Sequence, residues 1–256
     1  MQQYNSTTSE IHFSFKYPDA NDPILSKLKE LAAITFDSNA SELEKIKVII
    51  GYAHSLFTHN GDNSPSSSDP LTILKEAKSG KEFRCVEYSL LASALLWSYG
   101  IPSRVIGLKT SDVETRKYGA GHVVIEFWSK DHKKWIMCDV QAGIIPTFNN
   151  ELLSAFELGE KVNQGLLVDY IPVNGSRFPS NKSFADMPAY IDWVREYLYF
   201  YDTPTAITFL DIDRKKQLIA MLVPLGVEPP KMFQGMFTMN AVYTHSVLDF
   251  YVKPVG

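Results

Sequence analysis

Apolar positions in the first hundred residues recur at helical intervals. Leu43, Ile46, Ile50, Ala53 and Phe57 fall three or four residues apart, on one face of a helix, and Ser41 with Glu44 three residues on forms a capping box at its start. Asp69-Pro70 opens a shorter helix, with Asp69 as cap and Pro70 tolerated in the first turn, that stops near Gly80. A third helix, apolar on most sides, runs from Cys85 to Gly100, and Pro102 blocks its continuation. Between the first two, NGDNSPSSSDP (60–70) reads as a loop, because its residues supply turn geometries and compete with helical hydrogen bonds.

Beyond Pro102 the pattern changes to strands: SRVIGLK, HVVIEFW, KWIMCDV and GIIPTF. Helices first and strands next, without alternating βαβ units, predict an α+β fold in which N-terminal helices pack on an antiparallel sheet. A polar, Pro-containing stretch from Pro172 to Pro188 marks the best boundary. It divides the chain into residues 1–171, the main domain, and residues 172–256, an α+β extension that either stands apart or joins the same globule. The extension reads as a helix over YIDWVREYLYF and strands over TAITFLDI and AVYTHSVLDFYV.

Composition narrows the function classes. The 256 residues are 45% hydrophobic and 12% aromatic, enough for a large core. The net charge of -4 arises from interspersed acids and bases, so neither nucleic acid nor a membrane surface is indicated as a partner. No apolar run is long enough to span a bilayer, and the polar opening MQQYNSTTSE shows no secretion signal; this leaves the compartment open between a cytoplasmic protein and an exported one whose leader has been removed. Two cysteines make no disulfide framework, and no Cys/His cluster has structural-zinc spacing.

Cys85 stands at the edge of its apolar helix rather than inside it. There the free N–H groups and the macrodipole bias a thiol toward thiolate, the form that attacks carbonyls. A nucleophilic cysteine also needs an imidazole and a group to orient it. GAGHVVIEFWSKDHKKWIMCDV (119–140) provides both on a predicted hairpin. With its turn near Asp131, paired residue numbers sum to about 261 or 262, which sets His122 beside Asp139 on one face and turns Cys138 to the other.

The order Cys, His, Asp, carried by RCVEYSLLASALLWSYGIPSRV, GAGHVVIEFW and KWIMCDV, resembles the transglutaminase-like superfamily over residues 45 to 145. The resemblance implies a papain-like core and amide chemistry through a thioester, with Cys85 as nucleophile, His122 as general base and acid, and Asp139 as orienter. Two positions depart from the common pattern: Phe83 where many members have glycine, and Val140-Gln141 after the aspartate. The Cys85 N–H is the natural first oxyanion donor, and His59 or Asn60 from the segment before the cysteine helix is a candidate second. The expected function is a cysteine hydrolase cleaving an amide or peptide bond of a peptide or protein substrate, without metal or organic cofactor. The alternatives are a protein-glutamine acyltransferase using the same thioester, and a non-catalytic binding module on the same fold.

Overall fold

The computed structural model describes residues 2–173, 184–210 and 213–254. Four helices come first: α1 (Pro23–Ala32), α2 (Glu42–Ser55), α3 (Pro70–Lys78) and α4 (Cys85–Ser98). The expected caps are present: Ser41 and Glu44 exchange hydrogen bonds at the start of α2, and Asp69 accepts from the Thr72 N–H at 2.9 Å to open α3. Gly100, at φ 74°, adopts the left-handed conformation that ends α4. A run from Glu87 to Leu96 is buried on every side, as an all-round apolar helix must be, and α1, α2 and α3 pack around it.

The chain then forms β1 (Ser103–Lys109), β2 (Gly121–Ser129), β3 (Lys134–Cys138), β4 (Ile144–Phe148) and β5 (Glu151–Leu152). There follow α5 (Ala155–Asn163), β6 (Asp169–Pro172), α6 (Met187–Val194), β7 (Phe200–Pro204), β8 (Ile219–Leu222), β9 (Met232–Phe233), β10 (Phe237–Thr238), β11 (Ala241–Thr244) and α7 (Val247–Phe250). The main sheet has six strands in the order β11-β8-β7-β1-β2-β3, antiparallel except for the parallel β11–β8 pair. Strands from both sides of residue 172 therefore share one sheet. The fold is α+β, with a core layer on each face: Ile125, Phe127, Ile136 and Cys138 pack with α1–α4, while Ile106, Leu108, Val124 and Met137 pack with α5, α6 and Phe250 of α7. The period-two alternation of β2 produces this division.

A buried pair holds the C-terminal helix to the sheet. Arg104 and Glu126 face each other across β1 and β2, with Arg104 Nη2 2.7 Å from Glu126 Oε2. The guanidinium also donates to the Phe250 carbonyl at 2.8 Å, and Tyr251 donates to Glu126 at 2.9 Å. Removing one partner would strand a buried charge, so the network specifies where α7 sits.

The later elements differ from the pattern-based expectation. YIDWVREYLYF is helical only through Val194; a tight turn over Arg195–Tyr197 follows, and its last residue starts β7. Of TAITFLDI, the described residues form no named strand, because β7 ends at Pro204 after pairing with β1 and β8; Asp211 and Ile212 lie outside the described residues. AVYTHSVLDFYV divides into β11 and α7, since Ser246 caps the helix by accepting from the Asp249 N–H, and this overrides the β-branched composition. Of the expected boundary stretch, residues 174–183 lie outside the described residues.

Candidate active site

Cys85 is the first residue of α4 and is partly exposed, whereas Cys138 is buried on the face of β3 that packs with α1–α4. Arg84 precedes it at the cap position. The Glu87 carboxylate accepts from the Arg84 backbone N–H at 3.1 Å and from its guanidinium at 2.6 Å, which fixes the turn that presents Cys85. One turn later, Ser89 Oγ donates to the Val123 carbonyl at 3.0 Å, tying that face of α4 to β2 next to His122.

His122 is buried, with its ring against the edge of Trp193, centroids 4.7 Å apart, and Tyr197 at 6.2 Å. Its Nε2 lies 2.7 Å from Asp139 Oδ2. The hairpin register differs from expectation. Paired numbers sum to 263, as in Ile125 with Cys138 and Trp128 with Trp135, because the loop spans Lys130–Lys133 with Lys133 at φ 53°. Extended by one residue, this register sets Asp139 opposite Val124, so His122 is its diagonal neighbour rather than its direct partner. The face is the same, and diagonal neighbours lie within reach of long side chains.

Asp139 begins a tight turn beyond β3. Its carbonyl accepts from the Gly143 N–H at 2.8 Å, and its Oδ1 accepts from the Ala142 N–H at 2.9 Å. Tyr190 of α6 donates its hydroxyl to Oδ2 at 3.0 Å. His54 holds the same turn by donating from Nδ1 to the Val140 carbonyl at 2.8 Å, packed where Gly143, at φ 69°, has no side chain. A Cβ there would come within 3.1 Å of the imidazole.

These contacts set the electrostatics. Burial opposes the His122 imidazolium, but the Asp139 carboxylate and its hydrogen bond outweigh that, with the Cys85 sulfur acting in the same direction, and the ring is pushed up from 6.5 to about 10. Burial likewise opposes the Asp139 carboxylate, yet His122, the Ala142 N–H and the Tyr190 hydroxyl hold it below the usual carboxylate range. His59 is half-buried. Its pKa is lowered, first by burial and then by the nearby His122 charge, so it favours the neutral ring. For Cys138, burial pushes the thiol up.

The structure thus brings Cys85, His122, Asp139 and His59 into one neighbourhood. His59 arrives there because the loop after α2 runs beside the residues preceding Cys85: His59 bridges to Phe83, and the Asn60 N–H donates to the Phe83 carbonyl at 2.7 Å. The Asn60 side chain turns to its own loop, donating to Glu82 at 3.5 Å and accepting from the Asp62 N–H at 3.1 Å. Among the described residues, no group of three or more His, Cys, Asp or Glu side chains could hold a metal ion.

Residues 29–140 match the family model of the transglutaminase-like superfamily. That stretch is similar to a transglutaminase-like core. Its match runs from within α1 to one residue beyond Asp139, so Cys85, His122 and Asp139 all lie inside it. Among solved structures, the chain is similar to a proposed cysteine protease from Cytophaga hutchinsonii, at 18% identity and a TM-score of 0.37 over 46% of this chain and 37% of that one. It is also similar to a TGase, at 22% identity and a TM-score of 0.34 over 53% of this chain and 35% of that one. The chain spans little more than a third of the length of either. No curated protein matches it.

Three residues that support the site escaped the sequence reading. His54 offered a signal: it follows Ile46 and Ile50 at four-residue steps, and a polar group on a buried stripe needs a partner. Tyr190 and Trp193 come from α6, well after the matched region, and carry no local mark of their contacts.

Proposed function

We propose that the protein is a cysteine hydrolase that cleaves an amide or peptide bond of a peptide or protein substrate. The observation that carries the reading is the 2.7 Å His122–Asp139 bond, buried beside a cysteine that opens a helix. Since Nε2 is engaged by Asp139, Nδ1 is the nitrogen left to exchange a proton with Cys85.

His122 holds the proton released by the Cys85 thiol while the sulfur bonds to the substrate carbonyl carbon, and negative charge moves to the carbonyl oxygen. The Cys85 backbone N–H, in the first turn of α4 where N–H groups have no intrahelical acceptor, is one donor to that oxygen. A neutral His59 ring N–H is the second. Collapse breaks the C–N bond, the imidazolium protonates the departing amine, and a thioester remains on Cys85. Water then attacks the thioester carbonyl, giving its proton to His122, and the thiol regains that proton as the carboxylic acid leaves. Asp139 keeps the imidazole oriented and favours its charged form throughout. Residues 172–256 act as part of the same unit, because α6 supplies the wall beside His122.

If a primary amine replaced water at the thioester, the same residues would run an acyl transfer, and on a fold without reactive Cys85 the site would serve only for binding. One incubation separates the three: the protein with a glutamine-containing protein and a labelled primary amine, beside a Cys85→Ala control. New peptide termini or released ammonia that require Cys85 support hydrolysis. Covalent incorporation of the amine as the main product would replace hydrolysis by transfer, and no product of either kind across a broad peptide panel would favour binding alone.

A further inference from the structure

The Asp139 carboxylate is held by donors from three directions. Oδ1 accepts from the Ala142 N–H of its own turn, and Oδ2 accepts both from His122 on β2 and from the Tyr190 hydroxyl on α6. Tyr190 is fully buried, and its ring packs edge-on against Phe184 with centroids 5.3 Å apart. Met187, Tyr190 and Val194 form the buried stripe of α6, and Asp186 caps that helix by accepting from the Ala189 N–H at 2.9 Å. The hydroxyl is therefore placed by a capped, packed helix rather than by a loop.

We propose that Tyr190 is a positioning residue of the site: its hydroxyl locks Asp139 in the orientation that receives His122, so that a residue outside the transglutaminase-like core completes the arrangement. The catalytic meaning of this role rests on the hydrolase reading above; the positioning itself does not. Burial pushes the Tyr190 phenol well above its ordinary pKa, so it stays a neutral donor and never competes for the proton that His122 carries. A carboxylate that accepts several hydrogen bonds is stabilised in its charged form, and each donor removed raises the pH at which it protonates. The titratable groups that act on Asp139 are His122 from β2, Tyr190 from α6, Tyr88 from α4, His59 from the loop after α2 and Cys138 beside it in the chain. Of these, His122 and Tyr190 hydrogen-bond to the carboxylate.

The test is an NMR titration of the His122 ring nitrogens in the full chain labelled with 15N-histidine. In wild type the Nε2–H signal of the bond to Asp139 persists on acidification until Asp139 protonates. In Tyr190→Phe this acid midpoint should rise by about one pH unit, and the acid limb of kcat should move with it. Replacing tyrosine throughout by 3-fluorotyrosine keeps the fold and makes the phenol a stronger donor, so the midpoint should shift downward, which keeps the test decisive even if Tyr190→Phe folds poorly. A purely structural tyrosine would lower thermal stability and leave the midpoint where it is in both proteins; that result overturns the proposal. Full activity in Cys85→Ala would instead end the hydrolase reading, and the midpoint comparison would still decide the role of Tyr190.

Discussion

Ser89 Oγ donates to the Val123 carbonyl at 3.0 Å, and Cys85 lies one helical turn before Ser89 on the same face of α4. Val123 is the neighbour of His122 in β2. One hydrogen bond thus fastens the helix that begins at Cys85 to the strand that carries His122. Ser89 is buried within an otherwise apolar contact, where a hydroxyl is retained only if it has a partner.

Ser89→Ala should cost about 1 kcal/mol of stability, the worth of one internal hydrogen bond. The same change should slow alkylation of Cys85 in the folded protein, because the helix start is less firmly held. Denaturant unfolding with parallel labelling rates checks both; a stability loss with an unchanged labelling rate would mean that the bond does not position Cys85.

In the proposed mechanism Asp139 both orients His122 and stabilises its charge, and two substitutions separate these parts. Asp139→Asn should retain measurable hydrolysis, since an amide can still orient one imidazole tautomer, while Asp139→Leu should fall at least about tenfold lower. Rates equal to wild type in both variants would remove Asp139 from the site.

The His122–Asp139 pair also predicts how stability follows pH. The folded pKa of His122 is raised from 6.5 to about 10, so its contribution is complete below about pH 6.5 and fades as pH rises through about 10. Asp139 is shifted the other way, below 3.8, so its contribution is present above pH 3.8 and disappears as pH falls through its folded value. Both are in force between about pH 4 and 6.5. The difference in unfolding free energy between wild type and His122→Gln should be largest near pH 5 to 6 and shrink from pH 7 to 10. A difference that grows toward alkaline pH contradicts the pairing.

Gly143 has a positive φ of 69° beside His54, on the turn that carries Asp139. Gly143→Ala should destabilise the fold by about 1–2 kcal/mol from the left-handed backbone alone, and more where the new methyl meets the imidazole. Hydrolysis should fall with it. Urea unfolding and activity on one preparation measure both, and an alanine variant as stable and active as wild type would show that the turn needs no glycine.

The legible features were those encoded locally. The helix from Cys85 to Ser98, β1, and the order of Cys85, His122 and Asp139 follow from periodicity, caps and the alternation of β2. The register was displaced because it depended on how many residues the Lys130–Lys133 loop uses and on Lys133 adopting a left-handed conformation, which lysine rarely advertises. The face survived because the displacement kept parity. Two missed helices carried usable signals: Asp22 caps α1 before Pro23, and Ser154 with Glu157 forms a capping box at α5. Tyr190 was out of reach, since its bond to Asp139 spans 51 residues and depends on how α6 folds back over the sheet.

The proposed function stands on Cys85 as the nucleophile and Cys138 as a structural residue. Native protein treated with iodoacetamide at about pH 6 to 7 and mapped by tryptic mass spectrometry should carry the label on Cys85, with activity lost in proportion, while Cys138, buried with its thiol pushed up, should react only after unfolding. Cys85 left unlabelled in the folded protein up to pH 8, or fully labelled with activity intact, would contradict the account.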